Sequence, residues 1–312
     1  MTTTLDIILV NWNAGDQLRR CLASVMAAQQ TTFRLQRVVV VDNGSSDDSL
    51  ANLAQPGLPL TIIRNGENRG FAVACNQGAA ESQADYLLFL NCDTLLFADS
   101  LAGVIEFMDK PANAQIGICG VRLVDERGQP TIVAARFPTL RVMLGKMTGL
   151  SRVLPTLFPS HLLSAADLRQ SGPVDQVIGA FFLIRHPLFV ACAGFDERFF
   201  VYFEEVDLAW RAKQAGYSSY YLADVSAFHV GGGLTGRVKA RRLFYSLRSR
   251  IQYAQKHYHF GALLVLVFCT LTVEPLLRLL RALLRLSPAQ IGETLAGYRL
   301  LFTHFLRLQS KA

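Results

Sequence analysis

The chain has 312 residues, 51% of them hydrophobic and spread along its whole length, which excludes a disordered or low-complexity protein. No repeat at a fixed period is visible, so solenoids and propellers are excluded, and the length suits one large domain or two small ones. The formal charge of +7 is unevenly divided: residues 237–312 carry 13 Lys/Arg against two Asp/Glu, while residues 1–236 carry 18 against 22. A slightly acidic body with a strongly basic tail points to an anionic partner for the tail, a membrane surface or nucleic acid.

In chain order, residues 5–12 read as a buried strand, and Leu18, Cys21, Leu22 and Val25 recur at helical spacing. Residues 38–41, 60–63, 86–90 and 116–121 read as further strands, with helices over 72–82 and 100–108. Strands separated by amphipathic helices predict parallel βαβ units in an α/β sheet covered on both faces. Asp125-Glu126-Arg127-Gly128 predicts a hairpin turn. Residues 138–173 carry four prolines and no period, and read as an insertion that covers or shapes a site. Residues 177–184 return as a strand, 204–216 as a helix stopped by glycine, and 217–222 as another strand.

From about residue 240 the chain is helical and basic. Residues 260–273 are mostly apolar and are broken by Glu274-Pro275, short of the roughly 20 residues a spanning helix needs. Arg278, Arg281 and Arg285 then share one helical face among leucines, the pattern of a helix lying in a headgroup layer. The other reading is a helix packed on the body of the protein or in a homodimer. Leucine density argues against nucleic acid. The six cysteines, Cys21, Cys75, Cys92, Cys119, Cys192 and Cys269, form no CxxC pair. Reduced, buried thiols of a cytosolic protein are expected, and no signal peptide precedes Leu5.

Polar residues end three of the strands: Asn11-Trp12-Asn13, Asp42-Asn43-Gly44-Ser45-Ser46-Asp47 and Asn91-Cys92-Asp93. The carboxyl edge of an α/β sheet is where ligands bind. Each block alone also fits an ordinary turn, with Ser45 or Ser46 capping a helix. No GxGxxG follows the first strand and no GxxxxGK(S/T) occurs, which argues against a nicotinamide site and a P-loop. Asp42 and Trp12 have the chemistry to hydrogen-bond and to stack on a base. Asp93 suits a hard divalent cation that neutralises a diphosphate, and Asn91, being neutral, suits orienting the turn or a ribose. Glu204, Glu205 and Asp207 open a helix, either as first-turn acids favoured by its dipole or as a cluster that raises one pKa to make a general base. His229 precedes Gly231-Gly232-Gly233, which reads as a loop able to close over a ligand.

These blocks occur in a fixed order together with Asn68-Arg69-Gly70-Phe71-Ala72, Asn76, Gly78 and Gly194-Phe195-Asp196-Glu197-Arg198. The ordered set resembles the inverting family 2 glycosyltransferases of GT-A fold, in their bacterial rhamnosyltransferase-like branch, over about residues 4–258. The resemblance implies a Rossmann-like, mixed and mainly parallel sheet flanked by helices. Residues 1–240 would form the GT-A domain, 1–121 its nucleotide-sugar half and 122–240 its acceptor and catalytic-base half. Residues 241–312 would form a basic amphipathic helical extension that associates with membrane.

The same resemblance implies that Trp12 stacks on the donor base, that Asp42 hydrogen-bonds it, and that Asn11, Asn13, Asn68, Arg69, Gly70, Asn76 and Asn91 line the donor. Asp93 and His229 would hold Mg2+ or Mn2+. Glu205 would be the catalytic base, supported by Glu204, Asp207 and Arg211 on the diphosphate or acceptor side. Asn91 stands where the family's metal motif begins with Asp, Cys92 where this branch commonly has Pro, and Glu205 where the family usually has Asp. No QxxRW signature is present, which favours single-sugar transfer. The expected reaction moves L-rhamnose from dTDP-L-rhamnose to a lipid-linked saccharide with inversion, in cell-surface polysaccharide synthesis, at the inner face of the cell membrane. The alternatives are a UDP- or GDP-sugar donor, or a non-catalytic, membrane-bound nucleotide-sugar-binding scaffold.

Overall fold

A computed structural model of the chain describes residues 2–51, 53, 57–231 and 239–309. The strands are β1 (Thr3–Asn11), β2 (Phe33–Asp42), β3 (Leu60–Arg64), β4 (Tyr86–Leu90), β5 (Thr94–Leu96), β6 (Ile116–Val124), β7 (Ala134–Ala135), β8 (Gly172–Val174), β9 (Gln176–Val177), β10 (Phe181–Arg185) and β11 (Ser218–His229). The helices are α1 (Asp16–Ala27), α2 (Phe71–Ala79), α3 (Ser100–Asp109), α4 (Leu140–Thr148), α5 (His186–Ala191), α6 (Glu204–Gln214), α7 (Lys239–His257), α8 (Phe260–Phe268), α9 (Glu274–Leu284) and α10 (Pro288–Gln309). Two compact units are distinguished. One comprises Met1–Arg136, Leu162–Glu197 and Glu204–Gly231; the other comprises Phe137–His161, Arg198–Phe203 and Gly232–Ala312.

The first unit is built on a sheet in the order β3-β2-β1-β4-β10-β6-β11-β5, with β8 against β11. Leu5, Ile7, Ile8 and Leu9 of β1 and every residue of β4 are buried, as expected of strands covered on both faces. The β3-β2-β1-β4 segment is parallel throughout. Beyond it β10 runs antiparallel to both β4 and β6, and β6 and β11 are again parallel. The sheet is therefore mixed, with its parallel character concentrated in the N-terminal half. The apolar stripe of α1, Leu18, Cys21, Leu22 and Val25, is buried as its spacing predicts. The smallness of α2 is a packing requirement: a Cβ on Gly78 would lie 2.5 Å from Cγ2 of Ile8.

Several elements differ from their sequence-based expectation. The strand predicted over 177–184 is two strands, because the chain turns at Gly179-Ala180; β9 pairs with β7 in a separate small sheet. Strand β11 extends to His229, well past residue 222, because it resumes pairing after skipping from Leu222 to Ser226. That bulge breaks the period-two pattern on which the shorter reading rested. The residues after Asp42 form turns, and neither Ser45 nor Ser46 caps a helix. The Asp125–Gly128 turn is present: Gly128 N donates to Asp125 O at 2.9 Å, and Gly128 has φ +70°.

The second unit holds α4 and α7 to α10. Helix α4 lies within the stretch read as aperiodic; Thr139 caps it and Gly149, at φ +80°, ends it. Its buried residues Val142, Met143 and Met147 form a core with Ala254 and Leu266. Glu274-Pro275 does not break the C-terminal apolar helix. A π turn over Cys269–Val273 lets Glu274 N donate to Cys269 O, five residues back. That frees Thr270 O, which accepts instead from Tyr298 Oη at 3.0 Å, and the register shift accommodates the missing donor of Pro275. The helix over Phe260–Leu284 is therefore continuous for 25 residues and is long and apolar enough to cross a membrane, the one such helix among the described residues.

Candidate active site

The carboxyl ends of β1 and β2 are locked together by a buried polar network. Asn11 is fully buried, and its Nδ2 lies 2.7 Å from Asp42 Oδ1, 3.0 Å from Ser45 Oγ and 2.8 Å from Ser49 Oγ. Ser45 N donates to the other Asp42 oxygen at 3.2 Å. Asp42 is thus held rigidly at the sheet edge with one donor on each oxygen, leaving acceptor capacity for a ligand. Asn13 adopts φ +53° and its Oδ1 accepts from Ser46 N at 2.7 Å and Asp47 N at 3.2 Å. Its side-chain oxygen therefore staples the loop after β2. Trp12, between these two asparagines, is half-buried.

The turn at residues 68–70 is positioned by Asn43, a residue sequence reasoning placed only within a motif. Asn43 Nδ2 donates to Asn68 Oδ1 at 3.2 Å and to Gly70 O at 3.0 Å, and Asn43 Oδ1 accepts from Asn65 Nδ2 at 3.0 Å and Arg69 N at 3.3 Å. The loop carrying it needs Gly44 at φ +73°, where a Cβ would meet the backbone of Glu67 at 2.9 Å. Gly70, at φ +93°, starts α2, and Arg69 is exposed at this edge.

Asn76 was expected on the donor. Both donors of its amide are engaged elsewhere: Nδ2 donates to Phe195 O at 2.8 Å and Glu197 Oε1 at 3.0 Å, while its Oδ1 accepts from Phe195 N at 2.9 Å. It clips α2 to the turn around Gly194.

After β4, Asn91-Cys92-Asp93 alternates direction. The Cys92 thiol is buried and donates to Val10 O at 3.3 Å, and burial first, then the charge of Asp93, pushes its pKa up. Asn91 and Asp93 are half-buried. Antiparallel pairing of β5 with β11 sets His229 opposite Thr94, which brings His229 Nε2 to 3.3 Å from Asp93 Oδ1. His229 is therefore the last residue of a strand, and Gly232-Gly233 beyond it lie outside the described residues. Among the described residues no group of three His, Cys, Asp or Glu stands ready for a metal. One carboxylate and one imidazole fit a hard cation that keeps waters and shares phosphate oxygens with its substrate, not a closed structural zinc site.

Glu204, Glu205 and Asp207 lie in the first turn of α6. Burial, followed by the neighbouring charge of Glu205, raises the Glu204 carboxyl well above its ordinary range. The charge of Glu204 also reaches the buried Cys75 thiol of α2. Glu205 is half-buried. Asp207 is fully buried and accepts from Arg211 Nε at 2.7 Å, and Arg211 also holds the Cys192 carbonyl. Asp207 and Arg211 brace α6 from within. The structure thus gathers Asn11, Asp42, the 68–70 turn and Asp93 at one sheet edge with His229. Helix α2 links that edge to the turn at Phe195 and to Glu204.

A sheet edge of polar strand ends with a paired Asp and His beside it, in a mixed sheet flanked by helices, is the architecture of GT-A glycosyltransferases. The model for "Glycosyl transferase family 2" matches residues 6–158. The chain is 28% identical over 259 residues to the N-acetylglucosaminyl-diphospho-decaprenol L-rhamnosyltransferase of Mycobacterium tuberculosis, covering 78% of this chain and 81% of that protein. It is 26% identical over 255 residues to the rhamnosyltransferase WbbL of Escherichia coli, covering 79% and 91%. In fold it is similar to the mannosyltransferase PcManGT of Pyrobaculum calidifontis, solved with GDP-Man and Mn2+, at TM-score 0.55 and 16% identity over 94% of this chain and 73% of that one. The chain is a glycosyltransferase whose residues 6–158 match family 2, and over about four-fifths of its length it is similar to bacterial rhamnosyltransferases.

Proposed function

We propose that the chain transfers a single sugar, L-rhamnose from dTDP-L-rhamnose, to a lipid-linked saccharide at the inner face of the cell membrane, with inversion. The sugar follows the names of the rhamnosyltransferases to which it is similar and the lipid-linked acceptor follows that of the Mycobacterium tuberculosis relative, while the dTDP carrier rests on the resemblance to the rhamnosyltransferase-like branch. The observation that carries the reading is the pairing of Asp93 with His229 at 3.3 Å, beside the Asn11–Asp42 network. Residues 1–121 act as the donor half and 122–240 as the acceptor half.

Trp12 stacks on the base and Asp42 accepts from it. The 68–70 turn, with the exposed Arg69 guanidinium, faces the diphosphate. Glu205 takes the proton of an acceptor hydroxyl, the hydroxyl oxygen bonds the anomeric carbon from the face opposite the leaving group, and the bond to the phosphate oxygen breaks with its electron pair. Asp93 and His229 would hold a divalent cation, Mg2+ or Mn2+, whose charge offsets that developing on the departing diphosphate. Glu204, Asp207 and Arg211 keep the start of α6 in place.

The test incubates the purified chain with synthetic N-acetylglucosaminyl-diphospho-decaprenol, the acceptor in the name of the Mycobacterium tuberculosis relative, and dTDP-, UDP- or GDP-sugars in turn, and reads product and anomeric configuration by NMR. Turnover of dTDP-L-rhamnose to the inverted product is expected. Turnover of another nucleotide sugar alone would move the donor assignment. Donor binding without transfer or hydrolysis would make the chain a scaffold.

A further inference from the structure

The turn between α9 and α10 closes in a hydrogen-bond pattern that ordinarily calls for glycine. Leu286 N donates to Leu283 O at 2.9 Å and Ser287 N to Ala282 O at 3.0 Å, and Leu286 sits in the left-handed region at φ +49°. A Cβ strains that backbone, which is why glycine is the usual residue there. Leucine holds the position and is 90% exposed, so packing within the chain does not offset the strain. Leu283 and Leu284 beside it are exposed as well. A strained position kept for an exposed apolar side chain points to a partner outside the chain.

A second apolar tip lies far earlier in the sequence, in the same unit. Residues 152–157 are all exposed, among them Val153, Leu154 and Leu157. Their turn is held in place. Leu154 N donates to Leu150 O at 2.8 Å, Phe158 N to Leu154 O at 2.9 Å, and Arg141 Nε to Leu157 O at 2.9 Å. Phe158 packs on α4, where a Cβ on Gly145 would lie 2.7 Å from that of Phe158. The turn thus seats its aromatic residue on a helix and holds three aliphatic side chains in the open.

The two tips flank one cavity of about 980 Å³, lined by Arg152 and Val153 of the turn and by Arg281 and Arg285 of α9. These three arginines have no ion-pair partner among the described residues. The carboxylates of the cavity are already engaged, Glu293 by Lys239 and Glu274 by Arg250 and Arg278. Like charges around one void repel unless an anion joins them. A soluble anion would answer the arginines and leave both tips uncovered. An apolar partner would cover the tips and leave the arginines unbalanced. A bilayer of anionic phospholipid answers both, with phosphates opposite the arginines and the tips at the acyl boundary.

We infer that the turn at residues 152–157 and the turn at residues 283–286 are two membrane-inserting tips. They seat the second unit on anionic phospholipid, whose headgroup phosphates meet the arginines of the cavity between them. This rests on the reading that the chain works at a membrane face, and it adds a footing outside the basic tail.

The experiment measures binding of the full chain to phosphatidylcholine vesicles containing phosphatidylglycerol. It compares the wild type with Leu286→Gly and with the paired Val153→Ser and Leu154→Ser. Each variant should bind roughly fivefold or more weakly, the scale of withdrawing one or two partly buried aliphatic side chains from hydrocarbon. Without vesicles, Leu286→Gly should melt no lower than the wild type, because glycine suits φ +49°. Its loss of binding is then not a loss of folding. Leu154→Trp reads insertion directly: its added fluorescence should shift to shorter wavelength and be quenched by lipids brominated on their acyl chains. Wild-type affinity in both serine and glycine variants would overturn the tips and leave membrane attraction to the basic tail. A wild type that ignores the vesicles at every salt concentration would remove the membrane reading itself. Unquenched Leu154→Trp emission on bound protein would overturn insertion. A dimer in vesicle-free buffer that Leu286→Gly dissociates would assign the tips to a second copy and overturn the lipid.

Discussion

Asp93 Oδ1 lies 3.3 Å from His229 Nε2 because the strand after Asp93 pairs antiparallel with the strand that His229 ends, with His229 opposite Thr94. Two residues far apart in sequence are thus fixed by sheet register. Asp93→Ala should abolish divalent-dependent transfer. His229→Ala should shift the metal titration upward by at least about 10–100-fold, the scale seen when partners of a metal site are lost. Both are measured as rate against Mn2+ or Mg2+ in EDTA-stripped buffer. Full activity of either variant in EDTA would remove the metal from the mechanism.

Glu205→Gln tests the base. It keeps the size of the side chain and removes proton acceptance. Turnover should fall roughly 10²–10⁴-fold while donor affinity is held, the usual contribution of a general base. Initial rates set beside calorimetric donor binding separate the two. Wild-type turnover would pass the role to another group.

Glu204 gives a stability test with a definite sign. Its carboxyl has an ordinary value of 4.5 and is raised well above it in the fold, by burial first and by Glu205 second. Folding therefore takes up a proton between those values. The stability contribution is complete below the ordinary value and is lost as pH rises through the folded one. Glu204→Gln has no such dependence. Its melting temperature should gain on that of the wild type between about pH 5 and pH 8, read by paired thermal melts. A constant difference across that range would mean Glu204 titrates normally.

Asp207 and Arg211 separate bracing from chemistry. Asp207 is fully buried against the Arg211 guanidinium. Removing one member of such a pair typically costs about 3–5 kcal/mol. Asp207→Asn should lower the unfolding midpoint by that scale in urea while leaving the affinity of the folded protein for donor unchanged. A stable Asp207→Asn protein with lost donor binding would place Asp207 at the substrate instead.

The residues at the strand ends were legible because a buried strand that stops on Asn or Asp announces an edge. Leu5 through Asn13 carries both signals in nine consecutive residues. Asn43 was not legible as a hub, since Asn65, Asn68 and Gly70 reach it from other elements. The motif around Asn76 carries no trace of its hydrogen-bond partners, which are 119 and 121 residues away in sequence. The strand of His229 was hidden by a bulge, and the antiparallel insertion of β10 between β4 and β6 leaves no local trace. At Glu274-Pro275 local chemistry pointed to a break that a π turn and the Tyr298 hydroxyl repair.

The C-terminal helices make a last distinction testable. The helix over Phe260–Leu284 has the length to cross a bilayer, but Glu274 near its middle is buried against Arg250 and Arg278, and Arg281 lines a polar cavity. A crossing helix would carry these charges into the hydrocarbon together with the elements that pair with them. A helix lying flat keeps the arginine side on the protein and the leucine side in the headgroup layer. Residues 237–312 hold 13 Lys/Arg against two Asp/Glu, so attraction to anionic lipid should be large at low salt. It should fade as the screening length drops to about 10 Å near 0.1 M. Flotation of the full chain with anionic vesicles should therefore weaken stepwise as salt rises. Retention that ignores salt and yields only to detergent would mean that the helix inserts.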